Sequence, residues 1–168
     1  FRTYTVKVEG NSITFKNLTI ENNAARLGQA VALHTEGDKL VFINCRILGN
    51  QDTIYTGVAG TRLYFVDCYI DGTTDFIFGP STALFENCEI RSKTNSYITA
   101  ASTPKDIAVG YVFKNCRLTA DPGVDKVYLG RPWRPYAATV FINCEMGKHI
   151  RPEGWHNWGN VENEKTAR

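Results

Sequence analysis

The sequence predicts an all-β protein that folds as a parallel β-helix, and the main support is one phrase that recurs along the chain. A Phe, any residue, and an Asn or Asp occur together six times, and a Cys follows in all but the first copy. The copies begin at Phe15, Phe42, Phe65, Phe85, Phe113 and Phe141, which are 27, 23, 20, 28 and 28 residues apart. A period in this range is typical of a solenoid, in which each repeat buries its apolar face against its neighbours.

Short strands account for the order of residues within each repeat. The Phe is expected to point inward and the next residue outward. The Asn or Asp then forms a sharp corner, because these residues tolerate the left-handed backbone conformation. After the corner, the Cys and the residue two positions later point inward again; these later residues are Ile47, Ile70, Ile90, Leu118 and Met146. A β-sandwich is the alternative, although antiparallel strands seldom repeat one inward phrase at single-coil spacing.

Length and composition predict a single domain over residues 1–168. A chain of 168 residues with 43% hydrophobic content can bury one sizeable core. The net charge of +2 gives no argument for a nucleic-acid partner, and no membrane-spanning segment is present. The strand-like start and the charged end do not resemble the caps that a solenoid needs. We therefore expect the domain to be truncated at both ends relative to a longer protein.

The five cysteines are predicted to be free residues of the core. All of them occupy the same inward position of successive coils, and an odd number cannot pair completely. One disulfide between neighbouring coils remains possible at this stage. No Cys-x-x-Cys spacing occurs, and three scattered histidines do not form a ligand set, so we expect no metal and no cofactor.

Two aspartates stand at equal positions of adjacent repeats. Asp52 follows Cys45 by seven residues, and Asp75 follows Cys68 by seven residues. Their carboxyl groups should therefore stack about 4.8 Å apart, one rung of a parallel sheet. Two like charges at that distance should raise one pKa and lower the other, which separates a general acid from a nucleophile or base. Asn95 has the same offset in the next repeat, so the acidic stack is expected to end there.

Amide, cationic and aromatic residues flank the two aspartates. Gln51 precedes Asp52, and Asp75 begins an aromatic run. Arg131 lies between Gly and Pro in a stiff turn, directly before Pro132 and Trp133. If Arg131 reaches Asp75, it should clamp the carboxylate with two hydrogen bonds and lower its pKa. Trp133 and the later Trp155 offer flat surfaces for sugar rings.

Five segments resemble the signature segments of the pectin methylesterases, in the order and at about the spacing of that family. They are residues 29–33 (QAVAL), 49–55 (GNQDTIY), 71–79 (DGTTDFIFG), 129–133 (LGRPW) and 154–158 (GWHNW). One segment alone would be weak evidence, whereas five in register on a repeating ladder form a specific signal. A stretch at residues 98–103 further resembles bacterial members, which predicts a bacterial source. Pro80 departs from the family pattern, because many members carry Asn there.

The resemblance implies a right-handed parallel β-helix that removes methyl esters from the galacturonate units of pectin. It implies that Asp75 is the nucleophile and that Asp52 is the general acid and then the base. Gln29 and Gln51 would donate to the oxyanion, and Arg131 would hold the nucleophile. The implied substrate-binding aromatics are Tyr55, Phe78, Trp133 and Trp155. The family further implies a monomer that acts on methyl-esterified homogalacturonan and is secreted, periplasmic or at the cell surface.

Other functions remain open from the sequence alone. A calcium-dependent pectate lyase would use Asp52, Asp71 and Asp75 as ligands and Arg131 as the base. The paired Gln residues would then have no role, and calcium sites usually gather more oxygen donors. A non-catalytic pectin-binding β-helix is the second alternative, since a fold does not determine a function. The absence of a Gly-x-Ser-x-Gly elbow in the sequence argues against a serine esterase.

Structural roles remain open for several of these residues as well. Tyr55 and Phe78 could serve as packing between coils, and Trp155 could cover the core as a lid. The three histidines His34, His149 and His156 are expected to be structural or to lie at the surface.

Overall fold

The computed structural model describes residues 3–168, which form a right-handed parallel β-helix. Each coil contributes three strands in succession. The first three coils contain β1 Val6–Val8, β2 Thr14–Lys16, β3 Thr19–Glu21, β4 Leu33–Thr35, β5 Leu40–Ile43, β6 Arg46–Leu48, β7 Ile54–Thr56, β8 Arg62–Val66 and β9 Tyr69–Gly72. The next three contain β10 Ile77–Gly79, β11 Thr82–Glu86, β12 Glu89–Ser92, β13 Tyr97–Ala101, β14 Tyr111–Lys114, β15 Arg117–Ala120, β16 Tyr128–Gly130, β17 Thr139–Ile142 and β18 Glu145–Met146.

Strands from successive coils pair in parallel and build three six-stranded sheets within the described residues. The first sheet runs β1-β4-β7-β10-β13-β16, the second β2-β5-β8-β11-β14-β17, and the third β3-β6-β9-β12-β15-β18. Each strand thus pairs with its counterpart one coil away, as the repeat predicts. The β-sandwich alternative is wrong, because all of these pairs are parallel.

The repeated Phe residues form a continuous stack through the core. Successive ring centroids from Phe15 to Phe141 lie 5.0, 4.6, 4.7, 4.5 and 4.5 Å apart, with nearly parallel planes. Phe42, Phe65 and Phe85 are fully buried. A stacked aromatic pair contributes about 0.5–1.5 kcal/mol beyond the burial of its area. The stack therefore aligns the coils and sets their register.

The Asn or Asp after each Phe turns the chain between the second and third sheets. All six of these residues have φ between 50° and 57°; they are Asn17, Asn44, Asp67, Asn87, Asn115 and Asn143. The side chains also link neighbouring coils: the Asn44 amide donates to Asn17 Oδ1 at 2.8 Å, and the Asn87 amide to Asp67 Oδ1 at 3.4 Å. The predicted left-handed corner is confirmed.

The cysteines next to these corners are free, so the possible disulfide does not form. Cys45, Cys68, Cys88 and Cys116 are buried, and their thiols donate to backbone carbonyls. Met146 is in register with the buried Leu118, as the repeat predicts. It is nevertheless 42% exposed, because β18 lies at the edge of the third sheet and pairs with β15 on one side only.

The charged end of the chain packs back onto the last coil. A short helix, α1, spans Asn163–Thr166. Beyond it, Arg168 N–H donates to Ala137 O at 2.8 Å, and Thr139 N–H donates to Arg168 O at 2.9 Å. Residues 3–168 contain no helix with the length and apolar character to cross a membrane.

Candidate active site

Asp52 and Asp75 occupy a second corner, where the chain enters strands β7 and β10 of the first sheet. Both have a left-handed backbone, with φ of 68° and 49°. The pairing of Ile54 with Ile77 places the two aspartates one rung apart. Asp52 N–H donates to Thr74 O at 3.1 Å, within the adjacent coil. The stacking predicted from the equal offsets is therefore observed.

The next rung of this corner differs from the prediction. Ile77 pairs with Thr99, and Asp75 N–H donates to Tyr97 O at 2.9 Å, so Tyr97 rather than Asn95 is level with Asp75. The reason is two additional residues in that coil. Ile77 follows its Cys by 77 − 68 = 9 residues, whereas Thr99 follows Cys88 by 99 − 88 = 11. The equal offset holds for the two aspartates and ends there.

Burial raises the pKa of Asp52 strongly. Asp52 is only 3% exposed, and Asp75 is 7% exposed. Burial raises the pKa of Asp52 to about 7, and the negative charge of Asp75 adds to the rise. The positive charge of Arg131 and a hydrogen bond from the Gln29 side chain oppose it. Near neutral pH, Asp52 therefore retains a proton that an exposed aspartate would have lost.

Arg131 clamps Asp75 as predicted. Its Nε donates to Asp75 Oδ1 at 3.0 Å, and its Nη2 donates to Oδ2 at 2.7 Å. The predicted lowering of the Asp75 pKa is nevertheless wrong: burial raises that pKa and outweighs the hydrogen bonds and charge of Arg131. Arg131 still distinguishes the two acids. It donates hydrogen bonds to Asp75 but acts on Asp52 only through its charge, so both its hydrogen bonds and its charge oppose the rise in the pKa of Asp75.

The position of Arg131 depends on the residue before it. Gly130 ends β16, and a Cβ atom at Gly130 would collide with Thr99 of the neighbouring strand. Glycine therefore permits the close approach that delivers Arg131 to this site. Arg131 N–H donates to Thr99 O at 2.9 Å and continues the pairing one residue past the strand.

Two rings that the sequence analysis did not select enclose the Arg131 side chain. The guanidinium carbon lies 3.9 Å from the ring centroid of Tyr97 and 3.8 Å from that of Trp158. Tyr97 lies here because its coil has two additional residues, which could have been found only by counting them in the sequence. Trp158 belongs to segment 154–158, which resembles a signature segment of the family, and this was the feature of the sequence that could have pointed to it.

The two glutamines are level with each other beside Asp52. Gln29 and Gln51 form a parallel bridge between adjacent coils, and Ala30 N–H donates to Gln51 O at 3.1 Å. Gln29 is exposed and bonds the Asp52 carboxyl through its side chain, whereas Gln51 is half-buried. Gln29 thus lies one coil from Asp52 on the side opposite to Asp75 and Tyr97, and Gln51 lies in the same coil as Asp52.

Three of the four predicted cleft aromatics form one cluster on the first sheet. Tyr55 stacks on Phe78 with centroids 4.7 Å apart, and Phe78 contacts Trp133 edge-on at 5.8 Å. Trp155 is separate from this cluster: it is 46% exposed and packs against Phe141 at 6.1 Å. With Arg131 and the helix α1 segment, Trp155 lines a cavity of about 410 Å³.

Asp71, His34 and His156 contact residues other than the two aspartates. Asp71 accepts a hydrogen bond from Gly49 N–H at 3.1 Å and lies 3.7 Å from Lys93 Nζ. His34 is buried against Tyr55, and His149 is buried as well. His156 packs against the rings of Tyr97 and Tyr128. Within residues 3–168, no three His, Cys, Asp or Glu side chains converge as a metal site would require.

Comparisons with known proteins agree with one family. The sequence matches the family model described as Pectinesterase over residues 1–167. It is 46% identical over 164 residues to pectinesterase 31 of Arabidopsis thaliana, an alignment that covers 96% of this chain and 51% of that protein.

Two solved structures show the same architecture. The pectin methylesterase from carrot has a TM-score of 0.91 and 30% identity, over 99% of this chain and 56% of that one. The pectin methylesterase from Yersinia enterocolitica has a TM-score of 0.84 and 36% identity, over 92% of this chain and 60% of that one. The chain spans about half the length of the curated relatives it matches.

Proposed function

The chain belongs to the pectinesterase family, and on that basis we propose that it hydrolyses the methyl esters of galacturonate units in pectin. The observation that supports this most is the buried aspartate pair, in which one acid is held by Arg131 and the other has its pKa raised to about 7. Ester hydrolysis needs both an ionised nucleophile and a proton donor for the leaving group. The pair supplies them one rung apart.

Asp75 acts as the nucleophile. One of its carboxylate oxygens attacks the ester carbonyl carbon, and the carbonyl electrons move to oxygen to give a tetrahedral oxyanion. Arg131 favours the ionised form of Asp75 and holds the plane of its carboxylate through two hydrogen bonds. The amides of Gln29 and Gln51 donate to the oxyanion; as neutral donors they stabilise it without neutralising the acid pair.

Asp52 transfers the protons. When the tetrahedral intermediate collapses, the carbon–methoxy bond breaks, and the Asp52 carboxyl protonates the departing oxygen to give methanol. Asp52 is then ionised and takes a proton from water, whose oxygen attacks the acyl carbon and breaks its bond to Asp75. The product acid leaves and ionises in solution. Asp75 is again a carboxylate, and Asp52 is again protonated.

The aromatic cluster binds the polymer. Tyr55 and Trp133 are half-buried and present ring surface on the first sheet near the acid pair, while Phe78 is only 3% exposed and packs against both of them. Rings of this kind pack against the apolar faces of sugars while the hydroxyl groups stay in water. Trp155 contributes from beside Arg131, where it lines the neighbouring cavity. We assign these residues to binding of methyl-esterified homogalacturonan.

We further propose that the enzyme works as a monomer, outside the cytoplasm, where its polymeric substrate is found. The bacterial source inferred from residues 98–103 stays a prediction, as does a longer parent protein.

The test is methanol release from highly methyl-esterified pectin in the presence of EDTA, comparing the protein with its Asp75→Asn variant. We expect release by the protein and a loss of about 10³-fold or more in the variant, because the carboxamide is not a nucleophile. Undiminished release by the variant would show that Asp75 is not the nucleophile. Chain cleavage without methanol that appears only when calcium replaces EDTA would indicate a lyase, and binding of pectin without turnover would indicate a non-catalytic protein.

A further inference from the structure

The guanidinium of Arg131 is enclosed by two aromatic rings that belong to different parts of the chain. Tyr97 and Trp158 each lie within 4 Å of its central carbon, at 3.9 and 3.8 Å. We propose that Tyr97 and Trp158 are positioning residues, which fix the plane of the guanidinium so that two of its N–H groups meet both oxygens of Asp75. This inference rests on the proposed function for its catalytic consequence, although the positioning itself can be measured separately.

The geometry of the two interactions supports this role. A guanidinium donates its hydrogen bonds within its own plane, and both of its flat faces can bind aromatic rings. Here the in-plane bonds go to Asp75 at 3.0 and 2.7 Å, while the rings contact the guanidinium carbon. An arginine side chain has many rotamers, and ordering it costs free energy. Two rings that restrict the guanidinium lower the cost of forming the two-point clamp.

Tyr97 holds both partners of the ion pair. Its backbone carbonyl accepts the Asp75 N–H at 2.9 Å, while its ring faces Arg131. The ring is supported by Tyr128 of the next coil, which stacks on it at 5.4 Å and 13°. Since Tyr97 begins strand β13, the sheet itself sets the position of this ring. One residue thus couples the backbone of Asp75 to the side chain of Arg131.

Trp158 reaches Arg131 from beyond the last strand. Its N–H donates to His156 Nδ1 at 3.0 Å, and its backbone is left-handed, with φ of 63°. The His156 ring in turn packs against Tyr97 at 5.4 Å. The segment after β18 therefore contacts both the arginine and the first ring. Trp158 is 38% exposed, so its role depends on this docking rather than on burial in the core.

A titration of the Asp75 carboxyl group tests the proposal without relying on turnover. The carboxyl carbon signals of aspartate-labelled protein are followed against pH by NMR, and the Asp75 signal is assigned by its loss in Asp75→Asn. Trp158→Leu and Tyr97→Leu should each raise the apparent pKa of Asp75, because a less ordered Arg131 stabilises the carboxylate less. Trp158→Phe and Tyr97→Phe keep a ring and should leave that pKa near the value in the unsubstituted protein.

The outer face of the third sheet offers a matched control. There Arg46 lies 4.4 Å from the Tyr69 ring, a similar pair that does not include either catalytic aspartate. Tyr69→Leu removes that ring and should leave the Asp75 titration unchanged. An unchanged Asp75 pKa in both Leu variants at positions 97 and 158, with the fold retained by thermal unfolding, would overturn the proposal. So would an equal shift in Tyr69→Leu.

Kinetics extend the test to catalysis. Trp158→Leu should lower kcat for methanol release about 3- to 10-fold with KM nearly unchanged. In an Arg131→Gln background the same substitution should have no further effect, since the ring would have lost its partner. An equal loss in both backgrounds would instead indicate a role independent of Arg131. A shift of the Asp75 pKa in a protein that releases no methanol would retain the positioning role and refute the esterase function.

Discussion

The molecule contains two stacks of left-handed Asn or Asp corners, and they differ in almost everything except their backbone. At the corner between the second and third sheets, Asp67 has φ of 54° and is exposed to solvent. At the corner before the first sheet, Asp52 and Asp75 have φ of 68° and 49° but are almost completely buried. The first stack turns the chain, and the second also holds an acid pair whose pKa values are raised.

The surroundings therefore decide the chemistry of an aspartate in this conformation. Asp67 meets an amide: the Asn87 side chain donates to it at 3.4 Å in the open surface ladder. Asp52 meets a carboxylate one rung away and has little water to solvate a negative charge. A left-handed aspartate is thus a common structural element of this β-helix, and burial beside a second acid raises the pKa on which the proposed chemistry depends.

The largest expected effect is a difference in methanol release between substitutions at the buried corner and at the exposed corner. Asp52→Asn should lower methanol release about 10²- to 10⁴-fold, the range typical of losing a general acid and base. The matched variant Asp67→Asn changes the same atoms at the exposed corner and should retain full activity. Measured rates on methyl-esterified pectin decide the matter. Similar losses in the two variants would mean that the distinction between the corners does not govern catalysis.

A second effect concerns the pH dependence of stability. The folded-state pKa of Asp52 is raised to about 7, while the pKa of an aspartate in the unfolded chain is about 3.9. The folded state therefore holds more protons between these values, and the free energy of unfolding should fall as pH rises from about 4 to 7. Asp52→Asn removes this contribution. The free energy of unfolding of the variant minus that of the unsubstituted protein should therefore be about 2–4 kcal/mol larger at pH 8 than at pH 4.

Chemical denaturation of both proteins at pH 4 and pH 8 measures this difference. Asp67→Asn, denatured in parallel, should follow the unsubstituted protein at both pH values. A difference between Asp52→Asn and the unsubstituted protein that is independent of pH would contradict the raised pKa.

The smallest effect addresses the backbone that the two corners share. Asn44 has φ of 50° and donates to Asn17 at 2.8 Å. Asn44→Ala should reduce the free energy of unfolding by about 1–2 kcal/mol, because alanine is strained in the left-handed region. Asn44→Gly relieves that strain and should lose less than the alanine variant, as measured by urea denaturation. If the glycine variant is the less stable one, the side-chain ladder rather than the backbone preference holds these corners.

Much of the fold could be predicted because one local rule repeats. The Phe, the left-handed Asn or Asp and the Cys each have a strong conformational or burial preference, and six copies at one-coil spacing, five of them with the Cys, admit few other arrangements. The same spacing predicted that Asp52 and Asp75 would stack. It failed for Asn95, because two additional residues in that coil shift the register to Tyr97.

The candidate site was predictable where it follows the register or the recognised segments. Arg131 reaches Asp75 as expected, and Gln29 and Gln51, both from recognised segments, lie side by side in adjacent coils. Tyr97 and Trp158 were missed, since their contact with Arg131 joins residues that are far apart in the chain and belong to no common repeat. The direction of the Asp75 pKa was also missed, because it depends on burial that the sequence does not display.

The sequence by itself determined the coil, its corners and the pairing of the two aspartates, because these follow from residue preferences that act over one repeat. Only the tertiary structure decided how deeply the aspartates are buried, which rings enclose Arg131, and that burial raises the pKa of both acids. Those properties arise from distances between separate coils and from the exclusion of water, and two additional residues in one coil place Tyr97 rather than Asn95 level with Asp75.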